Sequence, residues 1–134
     1  MSDTAAPVLV VDDEPDLRDL LTLTLEEMGL ASLPAADLAQ ARRCITENAP
    51  RLVLTDMRLP DGDGLGLVEW MRREAPGTPV AVLTAYGNIE TAVAALKAGA
   101  FDFLTKPLDL ARLRRLVAAA INLAPSASAG PSPL

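Results

Sequence analysis

The chain alternates between short apolar runs and longer segments in which apolar residues recur every three or four positions. The short runs lie at 8–11, 32–34, 52–55, 80–84 and 101–104. Their length and composition are typical of buried β-strands, and the spacing in the longer segments is typical of amphipathic helices. The pattern therefore predicts five strands, each followed by a helix.

Proline, Asp, Asn and glycine residues mark the expected helix ends. We expect boundaries at Pro15 and Gly29 for the first helix, Asp37 for the start of the second, about 65–74 for the third, Asn88 and Gly99 for the fourth, and Asp109 for the start of the fifth. The fourth helix places Ile89, Ala92, Val93 and Leu96 on one apolar side, which is expected to face the core.

Almost wholly apolar strands separated by single helices indicate a parallel sheet that is covered on both faces. The predicted fold is a flavodoxin-like α/β sandwich of five parallel strands flanked by five helices. The expected strand order is 2-1-3-4-5, which creates a topological switch between the first and third strands.

The composition bounds the possible functions. A chain of 134 residues with 50% hydrophobic residues suits one folded domain, expected at 1–124, with a linker or tail at 125–134 that is rich in proline, serine and alanine. A frayed terminus or cloning residues would explain the tail equally well. The formal charge of -6 argues against direct contact with nucleic acid. No apolar run approaches the roughly 20 residues that span a bilayer, so we expect no membrane contact and a cytoplasmic protein.

Two residue types are nearly or wholly missing. Cys44 is the only cysteine, which excludes an intrachain disulfide and fits a reducing compartment. There is no histidine, so a histidine triad, histidine-ligated zinc and phosphohistidine are excluded. Any phosphoryl chemistry on this chain must use carboxylates.

Polar residues follow or end four of the predicted strands: Asp12 and Asp13, Asp56, Thr84 and Lys106. The carboxyl ends of parallel strands meet at one edge of the sheet, where such folds bind ligands. Three carboxylates, a hydroxyl and an ammonium at that edge suggest a site for Mg²⁺ and a phosphoryl group.

Within that site Asp56 suits the role of a nucleophile that forms an acyl phosphate, because it ends the central strand. Each residue also has a simpler explanation. Asp12 and Asp13 could cap the first helix, Thr84 could reflect strand propensity, and Lys106 could lie in a solvated loop. Their joint placement favours the functional interpretation.

Four motifs resemble the receiver domain of bacterial two-component response regulators over 8–123. They are Val-Val-Asp-Asp-Glu-Pro at 10–15, Leu-Thr-Asp-Met-Arg-Leu-Pro-Asp-Gly at 54–62, Leu-Thr-Ala-Tyr-Gly at 83–87 and Leu-Thr-Lys-Pro at 104–107. The third and fourth motifs with the helix between them resemble the NtrC-type subgroup of sigma-54 activators, which includes pilin regulators.

The resemblance implies a role for each site residue. Asp56 would be the phosphoacceptor, Asp12 and Asp13 would bind Mg²⁺ together with Asp56, and the backbone carbonyl of Arg58 would be a further metal ligand. Lys106 would pair with the phosphoryl group.

The resemblance also implies a switch. Thr84 would move toward the phosphoryl group, and Phe103 would be the aromatic residue coupled to it; a plain core aromatic is the alternative for Phe103. In an alternating strand Phe101 and Phe103 are expected to share a face. The bond between Lys106 and Pro107 would be a cis peptide, as in the family.

The implied partners are a cognate histidine kinase and, in this subgroup, a central AAA+ ATPase and a DNA-binding domain that this chain does not contain. A homodimer through helix 4, strand 5 and helix 5 is possible. Apart from phosphorylation and dephosphorylation of its own aspartate, we expect no enzyme activity.

Three other functions remain open. A single-domain regulator would act by docking alone. A phosphatase with an aspartate nucleophile would need a second acid two residues later, where this chain has Arg58. A flavin carrier on the same fold is disfavoured, because the acidic first loop would repel the phosphate of the flavin.

Overall fold

The structure, a computed structural model, describes residues 6–85 and 87–123, and only the backbone of residue 123. The linker expected at 125–134 lies outside the described residues.

The described chain contains the five strands and five helices that the sequence predicts. They are β1 (Val8–Val11), α1 (Pro15–Glu27), β2 (Ser32–Ala35), α2 (Leu38–Asn48), β3 (Leu52–Asp56), α3 (Gly64–Glu74), β4 (Val80–Ala85), α4 (Ile89–Ala98), β5 (Asp102–Lys106) and α5 (Leu110–Leu123). A short antiparallel ladder between β3 and α3 pairs Arg58–Leu59 with Gly62–Asp63.

The main sheet has the order β2-β1-β3-β4-β5, and every neighbouring pair is parallel. This confirms the predicted fold and strand order. Because β1 and β3 are adjacent although two helices and a strand separate them in sequence, their carboxyl ends meet at the switch point.

The core lies on both faces of the sheet, as the strand β1 illustrates. Leu9 and Val11 pack against the layer of α2, α3 and α4, whereas Val8 and Val10 pack against α1 and α5. All four side chains are fully buried. This alternation follows from the pleat of a strand, in which successive side chains point to opposite faces.

Helix α4 differs from the sequence prediction. Ala92 and Ala95 are buried, while Ile89, Val93 and Leu96 remain 55%, 41% and 40% exposed. The small alanines face the core and allow the helix to approach closely, and the larger apolar residues form what we call the outer face of α4. The expectation that these three larger residues face the core was wrong.

The two phenylalanines near β5 also differ from the prediction. Phe103 packs with the core layer of α2, α3 and α4, but Phe101 packs with the layer of α1 and α5. Since β5 begins only at Asp102, the alternation of the strand does not extend back to Phe101. The two rings therefore lie on opposite sides of the sheet.

No helix among the described residues is long and apolar enough to cross a membrane.

Candidate phosphoryl and metal site

Four neighbouring strands, β1, β3, β4 and β5, carry the candidate residues to one edge of the sheet. The amide of Asp12 donates to the carbonyl of Ala35 at 3.0 Å, which continues the pairing of β1 with β2 for one residue. Asp56 ends β3 and pairs with Leu83 of β4, and Lys106 ends β5. The parallel register therefore brings together residues that lie up to 94 positions apart.

The carboxylates and the lysine form a compact group that we call the acidic cluster: Asp12, Asp13, Asp56 and Lys106. One carboxylate oxygen from each aspartate lies within 4.8 Å of the other two. Lys106 Nζ lies 3.0 Å from Asp56 Oδ2 and 3.3 Å from Asp12 Oδ2. Asp12 is fully buried, Asp56 is 8% exposed and Asp13 is exposed to solvent.

Burial and charge shift two pKa values in this cluster. Burial raises the pKa of Asp12, although the amide of Glu14 and the charge of Lys106 partly offset it. Burial opposes the charged form of Lys106, but the carboxylates of Asp56 and Asp12 outweigh that effect and raise its pKa above the ordinary 10.5. Lys106 is therefore a stable cation between two acids.

Asp12 also has a local structural role. Its Oδ1 accepts a hydrogen bond from the amide of Glu14 at 2.8 Å, and its backbone carbonyl accepts one from Arg18 Nη1 at 2.6 Å. Glu14 itself occupies the N-cap position of α1 and makes no side-chain capping bond. One oxygen of Asp12 thus shapes the turn into α1, and the other faces Lys106.

The loop after β3, residues 57–63, is tightly folded against the end of that strand. The amide of Gly64 donates to the carbonyl of Met57 at 2.9 Å, and Asp63 caps α3 through the amide of Gly66 at 2.9 Å. A Cβ at Gly64 would collide with the backbone oxygen of Asp56. Only glycine fits this contact between the loop and the end of β3.

A cavity of about 420 Å³ opens beside Asp56. Its lining residues are Asp13, Glu14, Asp56, Met57, Arg58, Leu59, Pro60, Ala85, Asn88 and Lys106. Glu14 and Asn88 are site residues that the sequence does not predict: Glu14 lies in the first quoted motif, and the pattern around Asn88 indicates only a helix cap.

Thr84 and Phe103 lie next to the site rather than in the cavity. The Thr84 side chain is 1% exposed, and its hydroxyl lies 3.4 Å from the carbonyl of Ala85. Arg112 holds Phe103 from α5: its Nη2 donates to the Phe103 carbonyl at 3.1 Å, and its guanidinium lies 6.0 Å from the centre of the ring. The bond between Lys106 and Pro107 is cis, as the resemblance implies.

The five-stranded parallel sheet with an acidic cluster and a lysine at its carboxyl edge defines the class of regulatory domain to which the chain belongs. Residues 8–118 match the family described as the response regulator receiver domain, and the chain belongs to that family. The prediction from the motifs is confirmed.

Known relatives indicate which subgroup of this family the chain is similar to. Over 115 residues the chain is 56% identical to the response regulator protein PilR of Pseudomonas aeruginosa. The matched region covers 86% of this chain and 26% of PilR. These figures, and a 42% identical match to the nitrogen assimilation regulatory protein NtrX of Azorhizobium caulinodans, confirm the resemblance to the NtrC-type subgroup and its pilin regulators. The chain spans about a quarter of the length of these two relatives.

Solved structures agree with the same assignment. The receiver domain of NtrX from Brucella abortus superposes with a TM-score of 0.82 at 40% identity, covering 85% of this chain and 97% of that one. The beryllofluoride-activated NtrC4 receiver domain dimer superposes with a TM-score of 0.81 at 36% identity, covering 86% and 95%.

Proposed function

We propose that this receiver domain accepts a phosphoryl group on Asp56 from a histidine kinase, with Mg²⁺ bound beside it. The observation that carries the proposal is the position of the Asp56 carboxylate. It borders the cavity, lies 3.0 Å from Lys106 Nζ and has an oxygen within 4.8 Å of oxygens from Asp12 and Asp13.

The donor set suits Mg²⁺. Three ionised carboxylates and one ammonium leave two negative charges, which match one divalent cation, and all the donors are oxygens. Asp12, Asp13, Asp56 and the backbone carbonyl of Arg58 would hold the ion. When bound, it would neutralise charge on the transferring phosphoryl group.

Asp56 supplies the nucleophile. One of its carboxylate oxygens attacks phosphorus, an oxygen–phosphorus bond forms, and the phosphorus–nitrogen bond of the donor phosphohistidine breaks. The imidazole leaves and takes up a proton. Lys106, now paired with Asp56 at 3.0 Å, would transfer its ion pair to an oxygen of the new acyl phosphate.

The resulting change would spread through Thr84 and Phe103. The Thr84 hydroxyl now lies near a carbonyl, at 3.4 Å, and could turn toward a phosphoryl oxygen. Phosphorylation then needs only to shift a pre-existing equilibrium of α4, β5 and α5. The outer face of α4 would be the part of this surface that meets a second receiver or another partner. The solved dimer of the beryllofluoride-activated NtrC4 receiver domain supports a second receiver as that partner.

The output of the switch would lie in other domains. Because PilR and NtrX are about four times longer than the matched region, we propose that this domain controls an AAA+ ATPase and a DNA-binding domain of a sigma-54-dependent activator in the cytoplasm. A single-domain regulator that acts by docking is the alternative. The chain's own chemistry would be limited to phosphorylation and dephosphorylation of Asp56.

The test treats the purified chain with acetyl phosphate and Mg²⁺ and locates the phosphoryl group by intact-mass and peptide analysis. We expect labelling of the wild type and of Asp63→Asn, a matched acid in the same loop, and none of Asp56→Asn. Labelling that persists in Asp56→Asn, or that does not depend on Mg²⁺, would contradict the proposal.

A further inference from the structure

The loop after β3 is fastened to a helix that is distant in sequence. Asp61 Oδ1 accepts a hydrogen bond from the amide of Leu38 at 2.8 Å, and Oδ2 accepts one from the amide of Ala39 at 3.1 Å. These amides belong to the first turn of α2, where backbone N–H groups have no partner within the helix. One carboxylate thus satisfies two of them across a gap of more than 20 residues.

Helix α2 has a second acid at the same end. Asp37 precedes the helix and accepts a hydrogen bond from the amide of Gln40 at 2.8 Å, which is ordinary N-capping. Asp37 supports the helix from its own segment, whereas Asp61 supports it from the loop. A substitution of Asp37 therefore tests the stability of α2 alone, whereas a substitution of Asp61 also tests the attachment of the loop.

The hydrogen bonds hold Asp61 in its charged form. The bond from the Leu38 amide is the largest cause that lowers the pKa of Asp61, and the Ala39 amide adds to it. The positive end of the helix dipole favours the same charge.

Backbone packing reinforces this attachment. Gly62 has φ +152°, and a Cβ there would lie 2.6 Å from Leu38 Cδ1. Leu38 and Leu59 are both buried in the same core layer. The tip of the loop therefore rests directly on the first residue of α2, by hydrogen bonds at Asp61 and by contact at Gly62.

The short antiparallel ladder connects the attached loop tip to Arg58. Arg58 pairs with Asp63, and Leu59 pairs with Gly62, so Pro60 and Asp61 form the turn between the two strands. Holding Asp61 and Gly62 on α2 therefore holds the strand that carries the Arg58 backbone. The Arg58 amide in turn lies 3.4 Å from Asp56 Oδ1.

We infer that Asp61 is a positioning residue for the phosphoacceptor site: it clamps the loop to the N-terminus of α2 and thereby aims the Arg58 carbonyl at the metal. The inference rests on the proposed function, since it assumes that Mg²⁺ binds beside Asp56. Asp61 is not among the residues that line the cavity beside Asp56, so it would act through the loop and not by direct contact.

The experiment compares the wild type with Asp61→Ala, Asp61→Asn and Asp37→Ala. Amide hydrogen exchange without Mg²⁺ reports the clamp, and NMR titration with Mg²⁺ alone reports affinity. We expect Asp61→Ala to expose the amides of Leu38 and Ala39 and to weaken Mg²⁺ binding about tenfold, the lower end of what an outer partner of a metal ligand contributes. Asp61→Asn, which keeps acceptor oxygen, should recover part of this loss.

Asp37→Ala should expose the Gln40 amide and leave Mg²⁺ affinity unchanged. If Asp37→Ala weakens Mg²⁺ binding as much as Asp61→Ala does, the effect belongs to helix stability and the inference is overturned. It is also overturned if Asp61→Ala exposes both amides but binds Mg²⁺ like the wild type. A wild-type chain that does not bind Mg²⁺ at the acidic cluster would instead refute the proposed function.

Discussion

The carboxyl edge of the sheet and the outer face of α4 differ in how firmly their side chains are held. At the carboxyl edge, the acidic cluster and the loop of residues 57–63 are held by ion pairs, helix caps and a backbone contact that only glycine permits. On the outer face of α4, Ile89, Val93 and Leu96 are 40% or more exposed, and alanines make the contact with the core. The first region is constrained, and the second leaves large apolar groups available.

The difference suits the two tasks of a receiver. Phosphoryl transfer needs charges at fixed separations, because electrostatic stabilisation depends on groups that do not reorganise. A partner surface needs apolar area that is not yet buried, which contributes roughly 25 cal/mol per Å² when a partner covers it. Substitutions in the two regions should therefore differ in their effects on stability and assembly.

Gly64→Ala, in the constrained region, should cause the largest loss in the free energy of unfolding. The new Cβ would collide with the backbone oxygen of Asp56, and a backbone atom cannot move aside as a side-chain end can. We expect a loss of about 3 kcal/mol in the free energy of unfolding, measured by urea denaturation. Gly77→Ala is the control, since a Cβ there meets nothing within 4 Å. Equal stability of the two variants would show that the loop is not tightly packed.

Ala95→Leu tests the inner side of α4. Ala95 is fully buried in the layer of α2 and α3, so the larger side chain would overpack it and cost about 2 kcal/mol of stability. Val93→Leu adds volume to the same helix on its outer face and should change the unfolding free energy little. The two-sided description of α4 fails if Val93→Leu is the more destabilising of the pair.

Lys106→Met removes the cation between two carboxylates. We expect the protein without Mg²⁺ to lose about 1–2 kcal/mol at neutral pH, between the losses for an exposed and a buried ion pair, because the Lys106 side chain is 26% exposed. Lys97→Met, at an exposed position of α4, should lose little. Because the pKa of Lys106 is raised in the folded protein, its contribution is complete below pH 10.5 and is lost as the pH rises through the folded value.

The measurement is urea denaturation at several pH values. The gap between wild type and Lys106→Met should narrow in strong alkali. A gap that stays constant or widens there would mean that the charge of Lys106 is not what stabilises the cluster.

Val93→Glu should have the smallest effect on folding and a selective effect on assembly. A charge on the exposed outer face of α4 should change the unfolding free energy by less than about 0.5 kcal/mol. It should nevertheless prevent the proposed dimer that forms with beryllofluoride and Mg²⁺, measured by sedimentation velocity. Leu23→Glu, at an exposed apolar position on α1, is the control and should still dimerise. A dimer that survives Val93→Glu would exclude this face as the interface.

Sequence periodicity identified α4 but not its orientation. Nearly every residue of Ile89–Ala98 is apolar or small, so the pattern does not distinguish a side that packs from a side that stays exposed. Phe101 shows a related limit, because strand alternation applies only within the strand and β5 starts one residue later.

The order of strands and helices, the fold class and the residues at the strand ends all followed from the sequence. This was possible because strand and helix periods are local, and because parallel strands necessarily bring their carboxyl ends to one edge. The tertiary structure alone decided three features: which side of α4 meets the core, the pairing of Lys106 with two acids, and the attachment of Asp61 to α2. Each depends on how elements far apart in sequence rotate and pack against one another, and local sequence patterns carry no record of that.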